Sequence, residues 1–315
     1  MPTLDFVALG EPMVEFNQAR ADDARTWLQG FGGDTSNAAI AAARLGVRAG
    51  YVTRIGADAF GRWFVDLWRQ HGVDTRGVRE DAVAPTGVYF VSHGPHGHEF
   101  SYLRAGSAAS CMTPANVSLD VVSDTRILHL SGISQAISSS ACDACFAAME
   151  AAHDAGARVS YDTNLRLKLW PLTRARAVIR ESAQYADWML PSLDDARHLF
   201  GDIDPDLMVD ACHAWGTPLV VLKCGPAGCI VSDGRQRERV EGFRVATVDA
   251  TGAGDCFDGA FGARLVAGDD PFTAARYANA AAALATTGFG AVAPLPDDAA
   301  VQRLLATRGA ALTAR

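Results

Sequence analysis

The sequence has little of what secreted, membrane-bound or nucleic-acid-binding proteins need. Its 315 residues include seven cysteines, an odd number that fits a reducing compartment better than a disulfide framework. No apolar run reaches the roughly 18 residues that span a bilayer, and residues 1–10 lack the basic flank of a secretory signal. No Lys/Arg cluster offsets the net charge of −8. We therefore expect a cytoplasmic protein that binds neither membranes nor nucleic acid.

Two common nucleotide-binding motifs are absent as well. No segment reads GxxxxGK[ST], the loop of P-loop NTPases, and residues 252–257 (GAGDCF) do not complete the GxGxxG pattern of dinucleotide sites. A nucleotide bound by this chain must be held by a different arrangement.

Short apolar strands alternate with helical segments over most of the chain. Hydrophobic residues make up 49% and charged residues 20%, the balance of an ordinary globular protein. The alternation predicts an α/β fold with a parallel sheet covered by helices on both faces. Ligands bind such sheets beyond the carboxyl ends of the strands, so polar residues after strands are candidate site residues. We predict strands at residues 6–9, 47–55, 127–130, 158–162, 188–190, 219–223 and 228–231.

Two segments do not fit this alternation. Residues 86–90 and 99–104 are extended and partly polar, and they predict a hairpin that projects from the main body. Residues 11–17 are expected to join it. Exposed strand edges favour pairing between chains, so we expect a homo-oligomer formed through these strands.

A polar loop of small residues, 248–254, leads directly into an apolar helix and carries the strongest chemical signal. Free N–H groups at a helix N-terminus bind anions, and Gly252 and Gly254 allow a phosphate to approach closely. Asp255 would repel such a phosphate unless it has a task, and the useful task is proton removal from an attacking alcohol. The alternative is that Asp255 only caps the helix.

Both ends of the chain resemble one family. Residues 249–261 (DATGAGDCFDGAF) resemble the C-terminal signature of the ribokinase-like (PfkB) carbohydrate kinases, and residues 32–39 (GGDTSNAA) with 43–46 (ARLG) resemble their N-terminal signature. The resemblance covers nearly the whole chain. It implies one domain over residues 1–315 with a doubly wound, mostly parallel sheet flanked by helices. A small β-sheet lid would come from about residues 11–31 and 86–106. The implied reaction is phosphoryl transfer from ATP, with Mg²⁺, to a sugar hydroxyl.

The resemblance also implies roles for single residues. Asp255 would be the base, and the N–H groups of Gly252, Ala253 and Gly254 would hold the transferring phosphate. The turn at residues 225–228 has a second interpretation as a simple hairpin, and Asn279 has one as a buried helix-packing residue. The implied ATP contacts are Asn164, Arg166, Ser192, Lys223, Gly225, Gly228, Gly252, Gly254 and Asn279.

The chain departs from the family at one metal-linked position. Relatives often carry Asn-x-x-Glu after a middle strand, whereas residues 191–195 read PSLDD here. Asp195 is therefore a candidate that would hold Mg²⁺ through water. Asp249 and Thr251 resemble positions where some relatives bind a monovalent cation such as K⁺.

Two tyrosines and two arginines indicate the sugar. Tyr89, Tyr102, Arg104 and Arg166 would suit an acidic sugar if they converge on one cleft, because Arg binds a carboxylate through a bidentate fork. Their segments resemble the 2-keto-3-deoxygluconate kinases of the family. That resemblance implies phosphorylation of 2-dehydro-3-deoxy-D-gluconate at O6, with hydroxyl contacts from Gly33, Asp34 and Asn37. A fructokinase-like enzyme and a non-catalytic sugar- or nucleotide-binding regulator are the alternatives, and either arginine has a second interpretation as a surface or phosphate-contacting residue.

Overall fold

A large sheet runs through the centre of this computed structural model, which describes residues 2–20, 23–94 and 97–313. In those residues the strands are β1 (Leu4–Leu9), β2 (Met13–Arg20), β3 (Asp23–Gly32), β4 (Ala49–Gly56), β5 (Asp74–Asp81), β6 (Gly87–Gly94), β7 (Gly97–Leu103), β8 (Thr125–Ser131), β9 (Arg158–Asp162), β10 (Trp188–Met189), β11 (Leu219–Lys223), β12 (Gly228–Ser232) and β13 (Arg237–Glu241). The helices are α1 (Asp34–Arg44), α2 (Ala59–Gln70), α3 (Leu119–Val122), α4 (Gly132–Ala136), α5 (Ser139–Asp154), α6 (Leu172–Tyr185), α7 (Leu193–Phe200), α8 (Pro205–Ala214), α9 (Ala253–Ala267), α10 (Pro271–Ala285) and α11 (Asp298–Thr313).

The large sheet has the order β13-β12-β11-β10-β9-β8-β1-β4-β5, and its strands pair in parallel except that β12 is antiparallel to both β11 and β13. β1 is buried along its whole length. Phe6 and Ala8 face the helices α1, α9 and α10, whereas Val7 and Leu9 face α5 and α6 on the other side. A strand buried on both faces reads as a continuous apolar run, which is why β1 shows no alternation. The predicted doubly wound α/β class is confirmed.

A second, small sheet has the order β3-β2-β6-β7. β2 pairs with β6 in parallel, and β6 pairs with β7 so that Tyr89 lies opposite Tyr102. One face packs on α2, with ring pairs Phe16–Phe60 and Phe31–Phe64. The opposite face carries both tyrosines. A small separate sheet was predicted and is present; its function as a lid stays a prediction.

No helix within the described ranges is long and apolar enough to cross a membrane.

Candidate active site

The first turns of α1 and α9 meet at the centre of the site. The two helices approach closely because small residues line their contact: a Cβ on Gly259 would lie 2.3 Å from the backbone oxygen of Ala38. The packing places Asn37 of α1 against Asp255 of α9, and Asn37 Nδ2 donates to Asp255 Oδ2 over 2.8 Å. The two segments that resemble the N-terminal and C-terminal signatures of the family are therefore in contact in the folded chain.

The Asp255 carboxyl is half-buried and is not the cap of its helix. α9 begins at Ala253 and its N-cap is Gly252, so Asp255 lies within the first turn. Burial and the nearby Asp34 raise the pKa of Asp255 to about 7, although Asn37 opposes the shift. A carboxyl with such a pKa can accept a proton near neutral pH, as a general base must.

The turn that precedes Asp255 is open to the cleft. Gly252 has φ 75°, a left-handed conformation, and a Cβ there would lie 2.9 Å from Ala291. Gly254 is exposed, and a Cβ there would approach only Lys223 Nζ, at 3.7 Å. The N–H of Ala253 donates to the Ala250 carbonyl over 3.2 Å. This N–H of the predicted anion-binding trio is thus already engaged in the turn.

Asp34 lies at the start of α1, next to the carboxyl ends of two strands. Ser131, at the end of β8, donates its hydroxyl to Asp34, and Asn164, just after β9, donates Nδ2 over 3.0 Å. Asn164 adopts φ 29°, a left-handed conformation that Asn tolerates better than most residues. Gly33 has φ 111°, and a Cβ there would lie 2.6 Å from the backbone oxygen of Glu11. Of the predicted residues, Asn37 thus contacts Asp255, Asp34 lies within electrostatic reach of it, and Asn164 contacts Asp34.

Arg166 follows Asn164 by two residues and has an exposed side chain. Its Nη1 donates to the carbonyl of Leu165 over 3.0 Å. Burial raises the pKa values of Asp34 and Asp195, and the charge of Arg166 opposes both shifts. The guanidinium therefore lies within electrostatic reach of both carboxyls and faces solvent.

The two predicted tyrosines stack on the small sheet. Their ring centroids are 5.8 Å apart, and the hydroxyl of Tyr89 donates to Glu15. Burial raises the pKa of Tyr89, and the charges of Glu15, Tyr102 and Asp255 add to the shift, which places this tyrosine near the proposed base. Tyr102 is 43% exposed.

Arg104 is paired with a buried carboxylate that sequence reasoning did not identify. Its Nη2 donates to Glu11, whose side chain is inaccessible to solvent, and Ser107 donates to the other Glu11 oxygen. Burial raises the pKa of Glu11, and Arg104 opposes the shift. Glu11 lies two residues after Leu9, the last residue of β1, and this position just after a strand is the signal from which it could have been found. Arg104 Nε is buried without a hydrogen-bond partner among the described residues.

The predicted nucleotide residues take protein partners. Lys223 Nζ donates to Asp258 over 2.9 Å and lies 3.1 Å from Asp162. Asn279 Nδ2 donates to the Val240 carbonyl over 3.1 Å, in agreement with the helix-packing interpretation. Ser192 caps α7, and its Oγ accepts from the N–H of Asp195 over 3.0 Å.

The turn between β11 and β12 is a tight hairpin. β11 and β12 are antiparallel, and Gly225 and Gly228 have φ of 58° and 98°. A Cβ on Gly228 would lie 2.0 Å from the Val240 carbonyl, so this position requires glycine. The turn therefore has the geometry of the simple hairpin, and its contact with a nucleotide stays a prediction.

The candidate cation residues accept hydrogen bonds from hydroxyl and backbone N–H groups. Asp195 is 7% exposed, and its Oδ2 accepts from the Thr163 hydroxyl over 2.9 Å. Asp249 Oδ1 accepts from the N–H and hydroxyl of Thr251 over 2.9 and 2.7 Å, and its Oδ2 accepts from the N–H of Gly290 over 2.9 Å. Asp249 thereby ties its own loop to the loop that follows α10.

Comparison with known proteins gives one consistent match. The sequence pattern of the pfkB family carbohydrate kinases matches residues 4–298. The chain is 34% identical over 310 residues to the 2-dehydro-3-deoxygluconokinase of Thermoproteus tenax, covering 96% of this chain and 94% of the relative. It is also 34% identical over 313 residues to fructokinase-2 of Oryza sativa subsp. japonica, covering 95% and 93%.

A solved structure shares the fold. Fructokinase from Vibrio cholerae O395, in its fructose, ADP and calcium ion bound form, matches with a TM-score of 0.85 and 28% identity, covering 96% of this chain and 99% of that one. The equal identity to the two kinds of sugar kinase leaves the choice of sugar to the chemistry of the cleft.

Proposed function

Because this chain belongs to the pfkB family of carbohydrate kinases, we propose that it phosphorylates 2-dehydro-3-deoxy-D-gluconate at O6, with ATP as donor. The proposal is carried by one observation: Asp34 lies within electrostatic reach both of Asp255 and of the exposed Arg166. A base at one end of the site suits a hydroxyl, and a solvent-facing Arg suits the carboxylate at the other end of a sugar acid.

The reaction needs one proton transfer and one exchange of bonds to phosphorus. O6 of the sugar acid attacks the γ-phosphorus and forms the new O–P bond, while the bond to the bridging oxygen of ADP breaks. The O6 proton passes to Asp255, whose pKa near 7 leaves much of it ionised at neutral pH. In this proposal the turn at residues 252–254 stabilises the charge on the phosphoryl oxygens.

Binding groups for the sugar surround the base. Asn37 Oδ1 is buried and has no hydrogen-bond partner among the described residues, so a sugar hydroxyl would satisfy it. Tyr89 and Tyr102 bring hydroxyls to the same side of the cleft from the small sheet.

The nucleotide would be bound with its metal ion. The Vibrio cholerae relative was solved with ADP and a calcium ion, and we propose ATP with Mg²⁺ for this chain. Within the described ranges no group of three or more His, Cys, Asp or Glu is arranged to hold a metal. This fits Mg²⁺ held mainly by phosphates and water, with Asp195 as the protein carboxylate. Bound Mg²⁺ would neutralise phosphate charge. The loop tied by Asp249 and Thr251 is the proposed place for a monovalent cation such as K⁺.

Fructose is the second candidate substrate. Glu11 neutralises Arg104. Of the two predicted arginines, Arg166 is then the one that faces solvent without a carboxylate partner in the described part of the chain. A site with one available guanidinium is also compatible with a neutral sugar, and the relative solved with fructose supports this candidate.

A coupled assay of ADP formation tests the proposal. The panel contains 2-dehydro-3-deoxy-D-gluconate, its galactonate epimer, fructose and ribose at matched concentrations. We expect the highest kcat/KM for a keto-deoxy acid. A higher kcat/KM for fructose would assign the fructokinase function instead, and no ADP formation with any sugar would contradict both.

A further inference from the structure

We propose that Lys223, Asp162 and Asp258 form a positioning group that fixes the first turn of α9, and with it Asp255, against the ends of two strands. Lys223 ends β11 and Asp162 ends β9, whereas Asp258 lies one turn after Asp255 on α9. The inference rests on the proposed role of Asp255 as the base but not on the identity of the sugar.

The three side chains meet at one point. Lys223 Nζ donates to both oxygens of Asp258, over 2.9 and 3.1 Å, and lies 3.1 Å from Asp162 Oδ2. The side-chain exposures of Lys223, Asp258 and Asp162 are 12%, 1% and 7%. An ammonium has three N–H donors, and two carboxyls take them up here. The group therefore ties β9, β11 and α9 together.

The two carboxyls differ in proton affinity. Asp162 and Asp258 both contact the Lys223 ammonium, so two buried carboxyls compete for one positive charge. Burial raises the pKa of Asp258 well above its usual value, and the charge of Asp162 adds to the shift. Burial acts in the same direction on Asp162, but the charge of Lys223 opposes it, and the pKa of Asp162 lies below the usual value. Asp258 is thus the carboxyl of the pair with the higher proton affinity.

The location of the group gives it a functional consequence. A buried ion group is a weak argument for stability, because well-packed apolar side chains are often as stable. Here a Cβ on Gly254 would lie 3.7 Å from Lys223 Nζ, so the ammonium lies directly behind the anion-binding turn. Burial raises the pKa of Asp255, and the charge of Lys223 opposes that shift. In the proposed role, Lys223 positions the turn and does not touch the substrates. The competing role is direct contact between Lys223 and the nucleotide.

Asp258 offers the first test. Asp258→Asn keeps an oxygen acceptor for Lys223 and the size of the side chain, while Asp258→Leu removes the acceptor. We expect Asp258→Leu to lower kcat about 100-fold, the scale of a displacement of about 1 Å at a reacting group. We expect Asp258→Asn to keep most of the wild-type kcat, and Asp162→Asn, which removes a carboxyl partner of Lys223, to lower kcat nearly as much as Asp258→Leu.

Lys223→Met separates positioning from contact with ATP. The positioning role predicts a lower kcat with little change in KM for ATP. It also predicts that the acid limb of kcat/KM moves to higher pH. Without the charge of Lys223, Asp34 and Asp162 still raise the pKa of Asp255, and only the neutral Asn37 opposes them. If Lys223→Met does not fold, as judged by circular dichroism, the comparison of Asp258→Asn with Asp258→Leu still tests the positioning role.

Two results would overturn the inference. One is equal activity of Asp258→Asn and Asp258→Leu, and the other is an effect of Lys223→Met that is confined to KM for ATP. Every variant is compared with the wild type on the sugar that the wild type phosphorylates best. A wrong sugar assignment would therefore appear in the wild-type substrate panel and would not change how the variants are compared.

Discussion

At the scale of single residues, the chemistry depends on how the protein sets the protonation of Asp255. Burial and Asp34 raise its pKa to about 7, and Asn37 and Lys223 limit the rise. A free aspartate would be fully ionised at neutral pH but would be a weaker base. Burial, helped by the neighbouring Asp34, is therefore what gives Asp255 a useful proton affinity.

The pH dependence of kcat/KM follows from this pKa. Below it Asp255 is protonated and cannot accept the sugar proton, so kcat/KM should fall as pH falls through about 7. Asn37→Leu removes the hydrogen bond that favours the ionised form, so the midpoint should move to higher pH. The measurement is kcat/KM from pH 5 to 9 for both proteins. A wild-type profile that stays flat down to pH 5 would show that Asp255 does not act with this pKa.

Arg166 is the residue that should separate acidic from neutral sugars. Arg166→Ala should raise KM for the keto-deoxy acid about 10- to 100-fold, the value of a lost hydrogen bond to a charged group, and should change KM for fructose little. Arg166→Lys is the matched control, because it keeps the charge but loses the bidentate fork, and an intermediate KM is expected. Equal effects on both sugars would indicate that Arg166 serves the phosphate.

At the scale of elements, close packing of α1 on α9 sets the geometry of the site. Gly259 faces the backbone of Ala38, and Asn37 precedes that residue directly. A displacement of α1 at this contact would move Asn37 away from Asp255. The helix pair therefore links packing in the core to the alignment of the base.

Gly259→Ala tests this link. The new Cβ would meet the Ala38 carbonyl, and overpacking of this kind destabilises by about 1–3 kcal/mol. We expect lower stability in urea unfolding together with a reduced kcat. Gly262→Ala is the control on the same helix, because its Cβ would meet the ring of Phe6, 2.6 Å away, instead of α1. It should lower stability with a smaller effect on kcat, and equal effects on kcat would argue against the link.

The elements that sequence patterns predict are those with strong apolar periodicity. Buried strands such as β1 and β8 were identified, and so were α9 and α10. β5 and β13 were missed because both lie at the edges of the large sheet and read DTRGVRED and RERVE, with few apolar residues. The residues of β3 fall almost entirely within the segment predicted to form the small sheet, about residues 11–31, but no strand was predicted there.

At the scale of the whole molecule, the site is assembled from distant segments at one edge of the large sheet. Ser131 ends β8 and Asn164 follows the neighbouring parallel strand β9, while Asp34 and Asp255 lie in the first turns of α1 and α9. That convergence could be predicted, since carboxyl ends of parallel strands share an edge. The partners could not: the pairs Arg104–Glu11 and Lys223–Asp258 depend on distances that only the folded chain sets.

The predicted role of the small sheet as a lid can be tested in the whole protein. If the sheet closes over the sugar, bound sugar with ADP should slow amide hydrogen exchange in β6 and β7, whereas β1, already buried, should change little. Hydrogen exchange with mass spectrometry gives the comparison. Unchanged exchange in β6 and β7 at saturating ligand would contradict the lid.

Asp255→Asn tests the central claim most directly. The amide keeps the size of the side chain but cannot take the sugar proton, so turnover with the best substrate should fall about 10²–10⁴-fold, the usual contribution of a general base. Binding of the sugar and of ATP, measured by calorimetry on the same protein, should persist. Near-normal turnover in this variant would contradict the assignment of Asp255 as the catalytic base.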